Sequence, residues 1–111
     1  MLNQDMTGYS PKNQMSIITD YTDAGLNAFV KMVAEEYGGL EVVESKCGYA
    51  CSDHGSAMSA GYRGAFLFEA KFGDHSPYIH TANDAVSTVN LQHVAAHVKA
   101  TIGFAVEAAA I

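Results

Sequence analysis

The sequence predicts an α/β fold of layered architecture, with helices covering a sheet. Three observations carry that prediction. Gly64–Glu69 (GAFLFE) is a nearly continuous apolar run, the pattern of a strand buried on both faces. Two segments have helical periodicity, each behind capping residues and each long enough to cover a sheet. Strand-like and helical segments follow one another in the order strand-strand-helix-strand-helix-strand-helix, which is a layered arrangement. At 111 residues the chain is one domain or a piece of one, able to bury roughly 60–70% of its unfolded surface.

Leu2 to Met6 reads as a short strand carrying Asp5 near its end, and Thr7-Gly8-Tyr9-Ser10-Pro11 as a turn. Met15 to Thr19 (MSIIT) is a second, β-branched strand. Asp20-Tyr21-Thr22-Asp23 supplies N-cap residues for a helix whose apolar stripe is Leu26, Phe29, Val30, Val33 and Tyr37. Gly38-Gly39 ends it, since glycine takes positive φ without strain. Leu40 to Ser45 (LEVVES) is a third strand. Ser52 or Asp53 caps a short helix through Ala60, and Gly61 stops it. After the GAFLFE strand, Ala70 to Val89 has no period; a loop of that length in a domain is usually functional or disordered, and its Phe72, Tyr78 and Ile79 argue against disorder. Asn90 caps the last helix, with Leu91, Val94, Ala95, Val98, Ile102, Ala105 and Ala109 as its predicted buried stripe.

The composition excludes several functions. Hydrophobic residues make up 49% of the chain and charged ones 16%, which argues against disorder. A net charge of −6 with no basic patch cannot neutralise a run of phosphates, so nucleic acid is not a partner. No apolar run approaches the ~20 residues of a membrane span. The opening, MLNQDMTGYS, has no charged leader or signal-peptide core and runs straight into a strand, so the chain reads as starting inside a domain. Cys47 and Cys51 are an even pair at close range and invite a disulfide; two free thiols are the alternative. A disulfide implies an oxidising compartment.

The chemistry-bearing residues crowd into Cys47–Asp84. Ser52, Asp53, His54 and Ser56 are triad residue types, but neighbours in sequence rarely converge as a triad, and no G-x-S-x-G elbow is present. They read as a capped turn. His93 and His97 have metal-pair spacing without the glutamate of H-E-x-x-H, and the helical pattern turns both towards solvent. His80 lies in the aperiodic loop near Asp74 and Asp84, and imidazole is the commonest protein metal ligand, with Asp5 a suitable carboxylate partner. On spacing alone, a hydrogen-bonded loop histidine is the better reading. Glu69 is either a further polar group or a salt-bridge partner for Lys71 or Arg63.

Several motifs taken together carry a resemblance. They are Gln4-Asp5-Met6-Thr7 with Tyr9, Ile18-Thr19-Asp20-Tyr21-Thr22-Asp23, Cys-Gly-Tyr-Ala-Cys-Ser-Asp-His from Cys47, Ala-Gly-Tyr from Ala60, Phe-Glu-x-Lys-Phe from Phe68, and Ile79-His80-Thr81. The chain closely resembles the secreted bacterial leucyl aminopeptidases, two-zinc enzymes with a co-catalytic metal centre, over essentially all 111 residues. That resemblance implies a zinc-exopeptidase-like, three-layer αβα sandwich around a mostly parallel or mixed sheet, with ligands at the C-terminal edges of strands. It implies that Asp5 is a ligand of one zinc and His80 of the other, and that Cys47 and Cys51 form a disulfide. It implies that Tyr49 donates to the tetrahedral intermediate, and that Met6, Ile18, Phe66, Phe68, Phe72 and Ile79 line the pocket for an apolar N-terminal side chain.

The same comparison implies that residues 1–111 are the C-terminal part of a single catalytic domain. The family's other histidine, bridging aspartate, glutamate ligand and glutamate base would then lie upstream, and the isolated chain would be inactive. The parent protein would be secreted or periplasmic and would act on peptides. Departures from the family pattern include Gly55-Ser56-Ala57 in place of a segment ending in an aromatic, Arg63 for proline, His75 for a pocket tyrosine and Ala85 for threonine. Two rival readings accompany this one. The chain could bind peptides or a second copy of itself through bare sheet edge, or it could be a mononuclear metal module with Asp5, His80 and further ligands from Glu69, His75 or Asp84.

Overall fold

Strand β4 (Ala65–Phe68) sits inside a four-stranded mixed sheet, between β1 (Leu2–Gln4) and β2 (Met15–Ile18), with β3 (Val42–Ser45) beyond β2. The computed structural model describes all 111 residues. β1 runs parallel to β4, with Leu2 opposite Ala65, and β3 runs parallel to β2, with Val42 opposite Met15. β2 and β4 are antiparallel, with Ile17 opposite Leu67. The remaining elements are helices α1 (Ala24–Gly38), α2 (Asp53–Ser59) and α3 (Leu91–Ala109), and a single 3-10 turn at Val86–Thr88 inside the long loop.

Alternation along β4 divides the core in two, because successive side chains of a strand point to opposite faces. Ala65 and Leu67 join Met15, Ile17, Val30, Ala34, Val42, Ala96 and Ala100 in the larger core, beneath α1 and α3. Phe66 and Phe68 point the other way and pack with Ile18 and Cys47, flanked by Met6 and Cys51. The second face carries α2 and the loops of the Cys47–Asp84 region, which makes the three layers.

The caps explain where the helices begin and end. Asp23 Oδ2 accepts from Leu26 N at 2.8 Å, and Gly39, at φ 74°, closes α1 in the left-handed region. Asn90 Oδ1 accepts from Gln92 N and His93 N at the start of α3. Ser52 occupies the N-cap position of α2 without capping it, because its hydroxyl is committed to a carboxylate described below.

The orientation of α3 corrects the sequence reading. Leu91, Val98, Ile102 and Val106 are exposed, whereas His93, Ala96, His97, Ala100 and Gly103 are buried. The physical reason is close helix packing. A Cβ on Gly103 would lie 2.5 Å from Cγ of Tyr37 and 2.9 Å from its Cβ, so only glycine lets the tyrosine of α1 rest on α3. Phe29 meets Phe104 edge-on at 5.8 Å in the same seam. Small residues therefore form the contact and the larger apolar ones are left outside.

His93 and His97 are thus not surface residues; each is 2% exposed. The His93 ring lies between two backbone carbonyls, with Nδ1 2.7 Å from Thr7 O and Nε2 2.8 Å from Gln14 O. His97 Nδ1 is 2.5 Å from Gln4 Oε1, while its Nε2 is buried without a partner. Both rings tie α3 to the first turn and strand of the chain. No helix is long and apolar enough to cross a membrane.

Candidate functional site

On the Phe66/Phe68 face of the sheet, one cavity of about 250 Å³ collects residues from four separate parts of the chain. Asp5 and Met6 come from the segment leaving β1. Tyr49 and Cys51 come from the loop before α2, Phe66 and Phe68 from β4, and Phe72, His75, Ile79, His80 and Asp84 from the long loop. Ile18 is fully buried behind Phe66 and Phe68 and does not line the cavity.

The cavity wall is aromatic. Phe68 lies 5.3 Å from Phe66 and 6.1 Å from Phe72, and Tyr49 meets Phe72 edge-on at 6.4 Å. His75 packs at 5.4 Å from Phe68 and 4.9 Å from Phe72, and its Nδ1 accepts from Gly73 N at 2.9 Å. With Nδ1 accepting, the neutral ring carries its proton on Nε2.

Tyr49 stands on a doubly anchored loop. Cys47 and Cys51 are disulfide-bonded, and the two Asp20 carboxylate oxygens accept from Cys47 N at 3.1 Å and Gly48 N at 2.8 Å. The tyrosine itself is 57% exposed, its hydroxyl free to meet a ligand. Phe72 N, on the opposite wall, donates to Ser45 Oγ at 2.9 Å.

Asp5 is held from below. Ser52 Oγ donates to Asp5 Oδ2 at 2.8 Å, and Asn3 Nδ2 donates to Ser52 Oγ at 2.9 Å. The same Asn3 amide lies 3.4 Å from His54 Nδ1. His54 is fully buried and stacked on Phe66 at 4.7 Å, and its pKa is lowered, chiefly by that burial, against the opposing pull of Asp20 and Asp53. A neutral ring buried there fills space without adding charge. Asp5 and His80 remain exposed on the cavity rim.

The donor set fits part of a metal centre. Asp5 offers a carboxylate and His80 an imidazole to one cavity, yet no three His, Cys, Asp or Glu side chains of this chain converge where an ion could be held. The mononuclear module is therefore not assembled. Its proposed extra ligand Glu69 is 2% exposed and engaged elsewhere, accepting from Gly8 N, Tyr9 N and Ser76 N. Nor does Glu69 pair with Lys71 or Arg63; the chain's one ion pair joins Lys12 and Asp74.

Residues 1–105 match the family described as Peptidase family M28. This chain belongs to peptidase family M28. It is 47% identical over 116 residues to leucine aminopeptidase 1 of Ajellomyces capsulatus, covering 98% of this chain and 30% of that protein. With leucine aminopeptidase 1 of Fusarium vanettenii the identity is 45% over 114 residues, covering 96% and 29%. Its fold superposes on the crystal structure of the Legionella pneumophila LapA aminopeptidase with a TM-score of 0.91 at 38% identity, covering 96% of this chain and 29% of that one. The chain thus spans under a third of the length of the relatives it matches. Those relatives are fungal as well as bacterial, so the likeness reaches wider than the bacterial enzymes alone.

Within this M28 chain, sequence reasoning did not find Ser52 as a partner of Asp5, Asn3 as a partner of Ser52, or the amide contacts of Glu69. No local signal reports them, because each bond joins segments at least 47 residues apart except Ser76 to Glu69.

Proposed function

We propose that this chain is the substrate-facing part of a zinc aminopeptidase that removes large apolar N-terminal residues from peptides. The observation that carries the reading is the aromatic cavity with Asp5, His80 and Tyr49 around it. Family M28 membership and relatives named leucine aminopeptidase support the activity.

In this reading Asp5 and His80 each hold one of two zinc ions, with the other ligands supplied from outside these 111 residues. Bound zinc would polarise the scissile carbonyl and make water nucleophilic near neutral pH. Phe66, Phe68, Phe72, Ile79 and Met6 take the apolar side chain of the N-terminal residue out of water. Tyr49 donates its hydroxyl hydrogen bond to the oxygen that gains charge as the carbonyl is attacked. The chain alone holds two ligands that serve different ions and is inactive. The Cys47–Cys51 disulfide supports an exported parent protein, since such bridges persist in oxidising compartments.

The deciding experiment replaces the matching segment of Legionella LapA with this chain and assays leucine and glycine chromogenic amides with and without zinc. Zinc-dependent cleavage of the leucine amide in preference to the glycine amide is expected. Tyr49→Phe should then lower kcat by roughly 10²–10³-fold, the usual effect of losing one oxyanion donor. Zinc-dependent leucine release by the isolated 111-residue chain would overturn the assignment of the remaining ligands to other segments.

A second reading concerns the chain on its own. The outer edge of β1 has no strand beside it, and its Gln4 lies near Val98 and Ile102 of the exposed apolar stripe of α3. The opposite flank is mostly charged, with Lys31, Glu35, Glu36 and Glu44 around exposed Met32 of α1. Bare edge and apolar stripe on one side favour pairing with a second copy there. Sedimentation should find a dimer that Ile102→Glu converts to monomer; a wild-type monomer at high concentration would dispose of the idea.

A further inference from the structure

Glu69 is a carboxylate buried to 2% exposure, and no cation pairs with it. Its charge is met by backbone amides alone. Oε1 accepts from Gly8 N at 3.3 Å and Tyr9 N at 3.2 Å, and Oε2 accepts from Ser76 N at 2.8 Å. A buried anion is tolerated only where such donors compensate its lost hydration, and charge-assisted bonds of this kind are the strong ones.

The two ends of the carboxylate hold different segments. Gly8 and Tyr9 follow Asp5 by three and four residues, in the loop that leaves β1. Ser76 precedes His80 by four, in the long loop. Each loop also carries a non-glycine residue in the left-handed region, Met6 at φ 73° beside Asp5 and His80 itself at φ 60°. Such conformations persist only where surrounding bonds fix them. Gly8 is further tied through its carbonyl, which accepts from Asn90 N at 2.8 Å at the start of α3.

We propose that Glu69 is a positioning residue: its carboxylate clamps the loop behind Asp5 to the loop leading to His80, and so sets the spacing of those two side chains across the cavity. The proposal rests on the reading of Asp5 and His80 as metal ligands, but the clamp itself does not. Glutamine tests it with little change of shape. An amide has one acceptor oxygen where the carboxylate has two, so one loop loses its acceptor and faces an NH₂ group instead.

The first measurement is amide hydrogen exchange on the 111-residue chain. Glu69→Gln should raise exchange by at least tenfold in the loop that meets the new NH₂ group, at Ser76 or at Gly8 and Tyr9, leaving amides of α1 and β2 protected. Exchange at those three amides that matches wild type would overturn the clamp, as would exchange rising equally throughout the sheet. If Glu69→Gln does not fold, Glu69→Asp, which keeps both oxygens on a shorter stem, answers the same question.

The second measurement uses the LapA hybrid and reads zinc affinity by competition with a chelator. Glu69→Gln should weaken zinc binding roughly 10–100-fold, the usual effect of losing an outer-shell support. A control variant away from the cavity with a matched loss of Tm, Val33→Ala, should leave zinc affinity unchanged. Equal zinc affinity in Glu69→Gln and the control would overturn the positioning role. A hybrid with Glu69 intact that binds no zinc would count against the functional reading instead, and the exchange result would still decide the clamp.

Discussion

Acid should unfold this protein through His97. The ring is 2% exposed, with Nδ1 bonded to Gln4 and Nε2 buried without a partner. Burial, and then the nearby charge of His93, lower its pKa from 6.5 to about 3. Below pH 6.5 the unfolded chain takes up a proton on this ring that the folded chain refuses until about pH 3. The stabilisation is therefore whole above pH 6.5 and is lost progressively as the pH falls between those two values. At ~1.4 kcal/mol per pH unit, a drop to pH 5 removes about 2 kcal/mol and the full window about 5 kcal/mol. Against a typical total of roughly 5–15 kcal/mol that is a large share. His54, also held below its ordinary value by burial, acts in the same direction. The assay is urea unfolding at pH 7.5 and pH 5 for wild type and His97→Asn, whose amide can still donate to Gln4 but does not titrate. Wild type should lose about 2 kcal/mol more than the variant between the two pH values. Equal losses would refute the reasoning, because they would mean that the buried ring takes its proton as readily folded as unfolded.

Other outcomes follow from the packing. Gly103→Ala forces a methyl group into the Tyr37 ring and should cost roughly 1–3 kcal/mol in a thermal melt, with most of that recovered in the Tyr37→Ala background. Val98→Gln, on the exposed face of α3, should change stability by no more than about 0.5 kcal/mol, whereas Ala96→Gln, on the buried face, should be severely destabilising; the reverse order would show that the helix is turned the other way. Removing the disulfide by Cys47→Ser and Cys51→Ser should lower stability by about 2 kcal/mol, the loop-closure value for so short a ring, and should reduce turnover in the LapA hybrid by freeing the loop that carries Tyr49.

Much of the fold was legible because it depends on local pattern. The apolar run of β4, the Asp23 and Asn90 caps and the Gly39 stop are each written in a few adjacent residues, and each appears in the structure. The convergence of Asp5, Met6, Tyr49, Phe66, Phe68, Phe72, Ile79 and His80 on one cavity was reachable only through the resemblance to aminopeptidases. Spacing alone left His80 a loop histidine. Nothing in a linear pattern says that the end of β1 and the long loop lie against the same face of β4.

What only the tertiary structure decided is which side of α3 faces inward and what the buried polar groups hold. A hydrophobic stripe counts transfer from water and so selected Leu91, Val98 and Ile102. Helix packing rewards close approach, and it selected Ala96, Ala100 and Gly103 instead. The same rotation buries His93 and His97, which the stripe had turned to solvent. Glu69 follows the same logic. Its chemistry was visible in the sequence as a carboxylate at a strand end, but its partners are backbone amides, which every residue but proline possesses and which no sequence pattern can single out. By itself the sequence determined the elements and their order. The fold decided their faces, because packing and hydrogen bonding are satisfied between segments that only three dimensions bring together.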